Sequence, residues 1–163
     1  MDHFSDPSAA PAARAAREDD LAGIITLVEA MFAELGTIVG PQWRADVRAS
    51  LAGRMGVDVG IFVTDGDDHA VSSCAVGVLH HSLPSPRRAS PTVGYIEWVF
   101  TAQAHRRKGS AQVVVNALLG WLTDRGAAVI DVHSSVAAEP LYRALGFNND
   151  GPVALRLRGA EPR

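Results

Sequence analysis

A basic segment that contains a glycine and precedes a helix-like pattern is the feature that most constrains this chain of 163 residues. It runs from His105 to Ala111 and reads His-Arg-Arg-Lys-Gly-Ser-Ala. The apolar residues that follow recur at the spacing of one helix face, and Gly126 is expected to end that helix. A helix N-terminus normally attracts acids or hydroxyls, because its N–H groups are free and its dipole end is positive. Cations at this position indicate a bound anion, which Gly109 would let the backbone approach closely.

A solvated basic loop without a ligand is the alternative interpretation of this segment. The rest of the composition favours one globular domain, because the length fits one domain and 47% of the residues are apolar. The net charge of −3 includes no long block of like charges, so nucleic-acid binding is not expected. No apolar run reaches the roughly 18 residues of a membrane span. The start of the chain lacks the order of a secretory signal, so a cytoplasmic protein is expected.

Residues 1–13 are rich in Ala, Pro and Ser, and they are predicted to be disordered ahead of a single domain over residues 14–163. Cys74 is the only cysteine, which excludes an internal disulfide. Its apolar strand-like surroundings predict a buried small side chain rather than a nucleophile. No cluster of His, Cys and Asp has the spacing of a metal site, so no metal is predicted.

Apolar periodicity predicts the order helix, helix, three strands, helix, strand, helix, strand, with a short strand ahead of them. The predicted helices cover residues 18–35, with an acidic first turn at 18–20, and residues 41–54, 111–125 and 139–145. The predicted strands cover residues 14–16, 59–64, 70–81, 93–101, 127–134 and 152–157, with 127–134 buried. Strands joined by turns should be antiparallel, and the strands on either side of the third helix should be parallel neighbours. This is a mixed α/β sheet with helices on both faces.

The motifs resemble those of a known family. Residues Arg106 to Ala111 fit the R/Q-x-x-G-x-G/A loop of the GCN5-related N-acetyltransferases, the GNAT family. Glu97 to Thr101 resembles that family's strand before the loop, and Ala138 to Phe147 resembles its closing helix with Leu-Tyr and Leu-Gly-Phe landmarks. The resemblance extends over about residues 14 to 158. It implies a GNAT-like fold of about six to seven mostly antiparallel strands and about four helices, with one parallel pair of strands splayed at the cofactor cleft.

The resemblance implies that acetyl-CoA is the cosubstrate, with its pyrophosphate on the loop amides and its pantetheine arm on the preceding strand. The residues implied to bind it are Val99, Phe100, Thr101, Arg106, Arg107, Lys108, Gly109, Ser110, Ala111 and Ser135. Arg106 and Lys108 would add charge or support the loop. Arg107 replaces a frequent glycine, which is harmless if its φ is negative. Ser135 replaces a frequent asparagine, and it would bond the pantetheine at shorter reach or cap the helix.

The implied reaction is attack of a neutral amine on a thioester, which needs a base, an oxyanion donor and an acid for the leaving thiolate. A main-chain N–H near Val99 and Phe100 would bind the oxyanion. Tyr142 stands at the family's tyrosine and is the predicted acid, and packing is its alternative role. Glu97 is the predicted base, and its alternative is a surface acid paired with Arg87 or Arg88.

Strand alternation is expected to place Glu97 on one face with Tyr95, Val99 and Thr101. Three histidines are weaker candidates near the same strands. His80 and His81 end a strand and are expected to be surface residues, with a substrate role as the alternative. His133 is expected to be a satisfied strand histidine that could reach the cleft.

The sequence therefore predicts an acetyl-CoA-dependent N-acetyltransferase that acts on a primary amine of a small molecule or a peptide. Residues 34–48 and 80–91 are expected to select the acceptor, with Glu34 and Asp46 for a cation and Phe32 and Trp43 for an apolar group. A catalytically silent CoA-binding sensor or interaction module is the alternative, and a domain for another phosphate-containing nucleotide is a third. No membrane or nucleic-acid partner is predicted, and a homodimer is compatible with the sequence.

Overall fold

The structure of the chain is a computed structural model that describes residues 11–151, 156, 157 and 159. The chain divides after His133 into two compact units, and each has its own fold elements. The predicted disordered segment lies mostly outside the described residues, as does the predicted last strand over residues 152–157.

The first unit contains a five-stranded sheet in the order β1-β2-β3-β4-β5. Its strands are β1 (Arg14–Ala15), β2 (Val59–Asp65), β3 (Val71–His81), β4 (Thr92–Thr101) and β5 (Val129–Val132). Neighbouring strands are antiparallel except for β4 and β5, which are parallel. The predicted mixed sheet with one parallel pair is confirmed, with five strands in the described part of the chain where the resemblance implied six to seven.

The helices of the first unit are α1 (Leu21–Glu34), α2 (Pro41–Arg54) and α3 (Ser110–Asp124), and the second unit contains α4 (Glu139–Ala144). The predicted starts of α2, α3 and α4 hold to within one residue, because Pro41, Gly109 and Pro140 mark them chemically. The acidic first turn predicted for α1 forms a separate 3-10 helix at Glu18–Asp20. Gly36 and Gly126 follow α1 and α3 with φ of +79° and +86°. That conformation suits glycine at the end of a helix, as predicted for both.

Helix α3 packs against β2, β3 and β4, and glycines on these strands let it lie close to the sheet. A Cβ atom added at Gly60 would lie 2.6 Å from the ring of Trp121. At Gly77 it would lie 3.0 Å from Leu118. The absence of these side chains brings the helix backbone toward the strands, so the N-terminus of α3 is held at the end of β4.

Helix α1 covers the opposite face of the sheet, where the main core lies. The core residues are Leu21, Ile24, Leu27, Val28, Leu51, Val59, Ile61, Val63, Cys74, Val76 and Val78. Burial of this apolar set supplies the main stabilising free energy of the unit. Helix α2 contributes only Leu51 as a buried residue, so it lies on the surface of the unit.

Strand β5 differs from the prediction of a buried strand. Its residues alternate between exposed and half-buried, and Val129 is 40% exposed. The strand is short and lies at the end of the strand order, paired with β4 alone among the described strands. The run of apolar residues therefore predicts the position of the strand correctly, but it does not predict how far the strand is buried.

No helix in the described residues is long and apolar enough to cross a membrane.

Cys74 is fully buried, as predicted, and burial raises the pKa of its thiol to about 12. The folded chain thus keeps this proton while the unfolded chain loses it near pH 9.0. Stability should therefore fall between pH 9 and about 12, by up to about 1.4 kcal/mol for each pH unit from this group. In urea unfolding, Cys74→Ala should show a shallower alkaline loss than wild type. Parallel losses in the two proteins would contradict this.

Candidate functional site

The basic loop leads directly into α3. A 3-10 turn at Gln103–His105 follows β4, and Gly109 precedes the helix with φ of +83°. No side chain among the described residues caps this helix, so its first N–H groups have no acceptor within the helix. A Cβ atom at Gly109 would meet nothing within 4 Å. The loop thus presents open backbone, free donors and exposed Lys108, an arrangement that fits a phosphate-bearing ligand.

Arg106 supports the loop. Its Nε donates to the main-chain oxygen of Thr101 at 3.0 Å, and its Nη2 pairs with the Glu34 carboxylate at 2.7 Å. The guanidinium carbon lies 5.1 Å from the centre of the Phe100 ring. Of the two roles predicted for Arg106, support of the loop is the one that these contacts favour. They join the end of β4 to the end of α1.

Arg107 has a positive φ of +62°, so the condition under which it would replace glycine harmlessly is not met. A left-handed conformation costs a residue with a Cβ atom roughly 1–2 kcal/mol. Gly109, two residues later, also has a positive φ. The loop therefore holds backbone strain at the position where the ligand is expected.

A β-bulge interrupts β4 at Glu97. Trp98 lies opposite Val76 and Ile96 lies opposite Gly77, so Glu97 has no partner residue on β3. Such an extra residue shifts the alternation of side chains between the two faces.

The bulge corrects the predicted face of Glu97. Beyond it, Trp98 and Phe100 pack against the core on the α1 side, while the Thr101 hydroxyl contacts the Ser73 hydroxyl at 2.8 Å. Val99 alternates with Trp98 and Phe100, so it shares the face of Thr101. Strict alternation predicted that Glu97 shares a face with Val99 and Thr101. The bulge makes this prediction wrong.

Glu97 is exposed, and its charge reaches the end of α2. The pKa of Arg54 is raised chiefly by its hydrogen bonds to Asp58, and the charge of Glu97 adds to this. Within the described residues Glu97 forms no ion pair with either arginine considered as its partner, and Arg88 instead donates to Ser82. Glu97 thus faces solvent on the α2 side of the sheet.

Among the described residues, the outer edge of β4 has no strand partner beyond Ile96, because pairing with β5 ends at the pair Ile96 and Val132. The N–H of Ala102 donates to the Ser72 oxygen on β3 at 2.9 Å. By alternation the main-chain groups of Phe100 also face β3, while those of Val99 and Thr101 face the open edge. The N–H and C=O of Phe100, a predicted pantetheine contact, therefore point toward β3 and not toward the open edge.

In the second unit, Ser135 lies in the turn before α4. Its hydroxyl oxygen accepts from the Ala138 N–H at 3.3 Å, and its main-chain oxygen accepts from the Glu139 N–H at 3.0 Å. These bonds close the turn that precedes α4, while Ala138 is the N-cap residue of α4 and no side chain in the described part of the chain caps that helix. Tyr142 is 6% exposed and contacts the Phe147 ring edge-on, with 5.5 Å between ring centres. Burial raises the pKa of Tyr142 to about 12, so it keeps its proton at neutral pH.

The candidate histidines differ in their surroundings. His133 Nδ1 lies 2.5 Å from the hydroxyl of Tyr95, a residue that the sequence analysis did not select. The ring of His80 lies 6.5 Å from the same tyrosine ring, and His81 is exposed. No group of three metal-ligating side chains occurs in the described part of the chain.

The predicted acceptor residues are partly engaged within the protein. Glu34 binds Arg106, and Asp46 accepts from Gln42 at 2.8 Å. Phe32 and Trp43 contact each other edge-on, and both lie near Trp98 of β4. The chain therefore offers an aromatic cluster at this position, with Trp98 as a member that the sequence pattern did not reveal.

Residues 46–147, more than half of the chain, match the model of the Acetyltransferase (GNAT) family. No curated protein matches the chain. Similar solved structures include a predicted acetyltransferase with acetyl-CoA from Clostridium acetobutylicum, which is 16% identical with a TM-score of 0.77 and covers 90% of this chain and 96% of its own.

Two further similar structures have amine acceptors in their descriptions. AAC(6')-Iy, in complex with the bisubstrate analog CoA-S-monomethyl-acetylneamine, is 17% identical with a TM-score of 0.73, and the match covers 93% of this chain and 100% of that one. Glucosamine-6-phosphate N-acetyltransferase from Arabidopsis thaliana is 20% identical with a TM-score of 0.69, and the match covers 91% and 99%. At these identities the likeness establishes the fold.

Arg107→Gly should stabilise the chain. The substitution removes the strain of a positive φ, which costs roughly 1–2 kcal/mol, and the larger backbone entropy that glycine loses on folding costs less than that. We expect the free energy of unfolding to rise by about 0.5–1 kcal/mol in urea titrations. His69→Gly is the matched control, since His69 has a φ of +61° in a turn outside the loop. Histidine tolerates this conformation better, so its gain should be smaller. A loss of stability in Arg107→Gly would disprove the strain.

Proposed function

The chain belongs to the Acetyltransferase (GNAT) family, and we propose that it transfers the acetyl group of acetyl-CoA to a primary amine of a small molecule or a peptide. The observation that carries the proposal is the uncapped N-terminus of α3, which Gly109 opens and Arg106 joins to the end of β4. The similar structures support it, because acetyl-CoA or a CoA-linked acetylated amine is named in two of their descriptions.

In this proposal the N–H groups from Arg107 to Ala111 bind the pyrophosphate, and Lys108 adds positive charge. The open edge of β4 binds the pantetheine arm, as an added strand binds a sheet. The Val99 C=O and the Thr101 N–H are the groups that we assign to the arm, since Arg106 holds the Thr101 oxygen. The Val99 N–H, which faces the same edge, remains for the reacting carbonyl.

The chemistry needs a proton acceptor for the ammonium form of the amine, and we assign it to Glu97, directly or through water. Its exposure on the α2 side keeps the carboxylate accessible to a cationic acceptor. The Val99 N–H is our proposed donor to the oxyanion. Tyr142 is the proposed acid for the thiolate, because a tyrosine hydroxyl is protonated at neutral pH and can donate.

Binding of acetyl-CoA should raise the melting temperature, and acetyl-pantetheine, which lacks the phosphates, should raise it much less. In Gly109→Ala a Cβ atom occupies the open space above the loop, so most of the acetyl-CoA shift should disappear. The measurement is thermal unfolding with each ligand.

Gly126→Ala is the matched control for this experiment. Gly126 lies at the other end of the same helix with φ of +86°, so the substitution adds similar strain away from the loop. It should lower the melting temperature but keep the shift with acetyl-CoA. Equal shifts from the two ligands in wild type would remove the argument for an anion site.

A panel of primary amines, followed by release of the CoA thiol, tests the proposed reaction directly. Tyr142→Phe keeps the ring and its contact with Phe147 but removes the proton donor. We expect kcat to fall about 10²–10⁴-fold, with the acetyl-CoA affinity nearly unchanged. Wild-type kcat in this variant would leave Tyr142 a packing residue. Binding of acetyl-CoA without turnover of any amine would favour the silent sensor over the transferase.

A further inference from the structure

We propose that Tyr95 and His133 form a proton relay that acts beside Glu97 as a second proton acceptor for the ammonium group of the acceptor. The inference rests on the proposed transferase function and extends it to residues that the family motifs do not include. Its basis is a direct hydrogen bond at the point where β4 and β5 separate.

The register of the parallel strands places these residues. Ile96 and Val132 are the last pair, so Glu97 and His133 are the first residues beyond the paired part. Tyr95 is paired with Asp131, and paired residues of neighbouring strands share a face of the sheet. His133 lies two residues after Asp131 and therefore on the same face as Tyr95. The relay and the bulge thus meet where the edge of β4 opens.

The contact between the two side chains is close. The Tyr95 hydroxyl lies 2.5 Å from His133 Nδ1, and the two ring centres are 5.6 Å apart. Tyr95 is half-buried, whereas His133 is exposed. One end of the pair therefore reaches into the sheet face near the bulge, and the other end reaches solvent.

The proton transfer balances without any co-reactant. The ammonium proton passes to the Tyr95 oxygen while the tyrosine's own O–H proton passes to His133 Nδ1. The amine becomes neutral, the tyrosine is unchanged and the histidine becomes imidazolium. Because His133 is exposed, the imidazolium can return its proton to water before the next turnover.

Charged residues of both signs neighbour the pair on the surrounding elements. Asp131 shares the face of Tyr95 on β5, and Glu97 follows the last pair on β4. His80 lies beside Tyr95, and its charged form contributes to the lowered pKa of Asp58, whose main cause is the hydrogen bond with Arg54. Arg54 and His80 are the opposing cations, but Asp58 pairs with Arg54 at 2.6 Å and offsets its charge.

A double-mutant cycle of Glu97→Gln and His133→Gln tests the relay. The substrate should be an amine of high pKa that the panel has shown to be acetylated, so that it stays an ammonium ion across the pH range and its deprotonation depends on the acceptor. Each single variant should lose about 10-fold or less in kcat/KM, because the other acceptor remains. The double variant should lose about 10²–10⁴-fold, the range for general base catalysis. Glu97→Gln should keep an acidic limb in its pH profile, and the double variant should lack it.

Two further variants separate the relay from simple packing. Tyr95→Phe in the Glu97→Gln background should remove the acidic limb as His133→Gln does, since the hydroxyl links the amine to the imidazole. His69→Gln, which changes an exposed histidine in the turn between β2 and β3, should leave both rate and pH profile unchanged. Melting temperatures would identify any variant that loses activity through unfolding.

The relay is wrong if the double variant matches Glu97→Gln in rate and pH profile, or if Tyr95→Phe retains the limb that His133→Gln abolishes. The outcome for the transferase itself is separate. A wild-type chain that releases no CoA thiol with any amine would contradict the proposed function, and the relay with it. Activity in wild type with an unaltered double variant would contradict the relay alone.

Discussion

The incomplete pairing of β4 is the constraint on which the candidate site depends. On one side β4 is bonded to β3 along its whole length, and on the other its bonds to β5 end at Ile96. Main-chain groups in the middle of a sheet are normally satisfied by two neighbours, so an edge that opens inside the strand order is a place for a ligand to bond. The bulge at Glu97 lies at that same point, where it turns the following side chains to new faces.

Most element boundaries could be predicted because local chemistry marks them. Pro41 opens α2, Gly109 precedes α3, and apolar alternation defines β3 and β4 to within one residue. The loop and the closing helix were recognisable as motifs for the same reason, since each is a continuous run of residues. The fold class followed from the order of these elements and from the handedness of the parallel connection.

The parts that the sequence could not reveal depend on pairs of distant residues. The bulge is a mismatch in the pairing of β3 with β4, and it changes which side chains share a face with Glu97. The sequence of β4 alone does not indicate it. The contact between Tyr95 and His133 joins positions on different strands that only the parallel register brings together. The sequence could not decide between the two roles predicted for Arg106, because its partner Glu34 is far away in sequence.

Strain at Arg107 gives the loop a physical meaning beyond its charge. Arg107 and Gly109 both have positive φ, and Lys108 between them does not. When left-handed and right-handed backbone conformations alternate along three residues, successive N–H groups turn toward one side. They form a concavity that binds anions. A left-handed arginine costs free energy in the ligand-free chain, and the contacts of Arg106 with Thr101 and Glu34 fix the backbone just before it. The loop is therefore preorganised for an anion, so ligand binding need not supply the free energy of forming that shape.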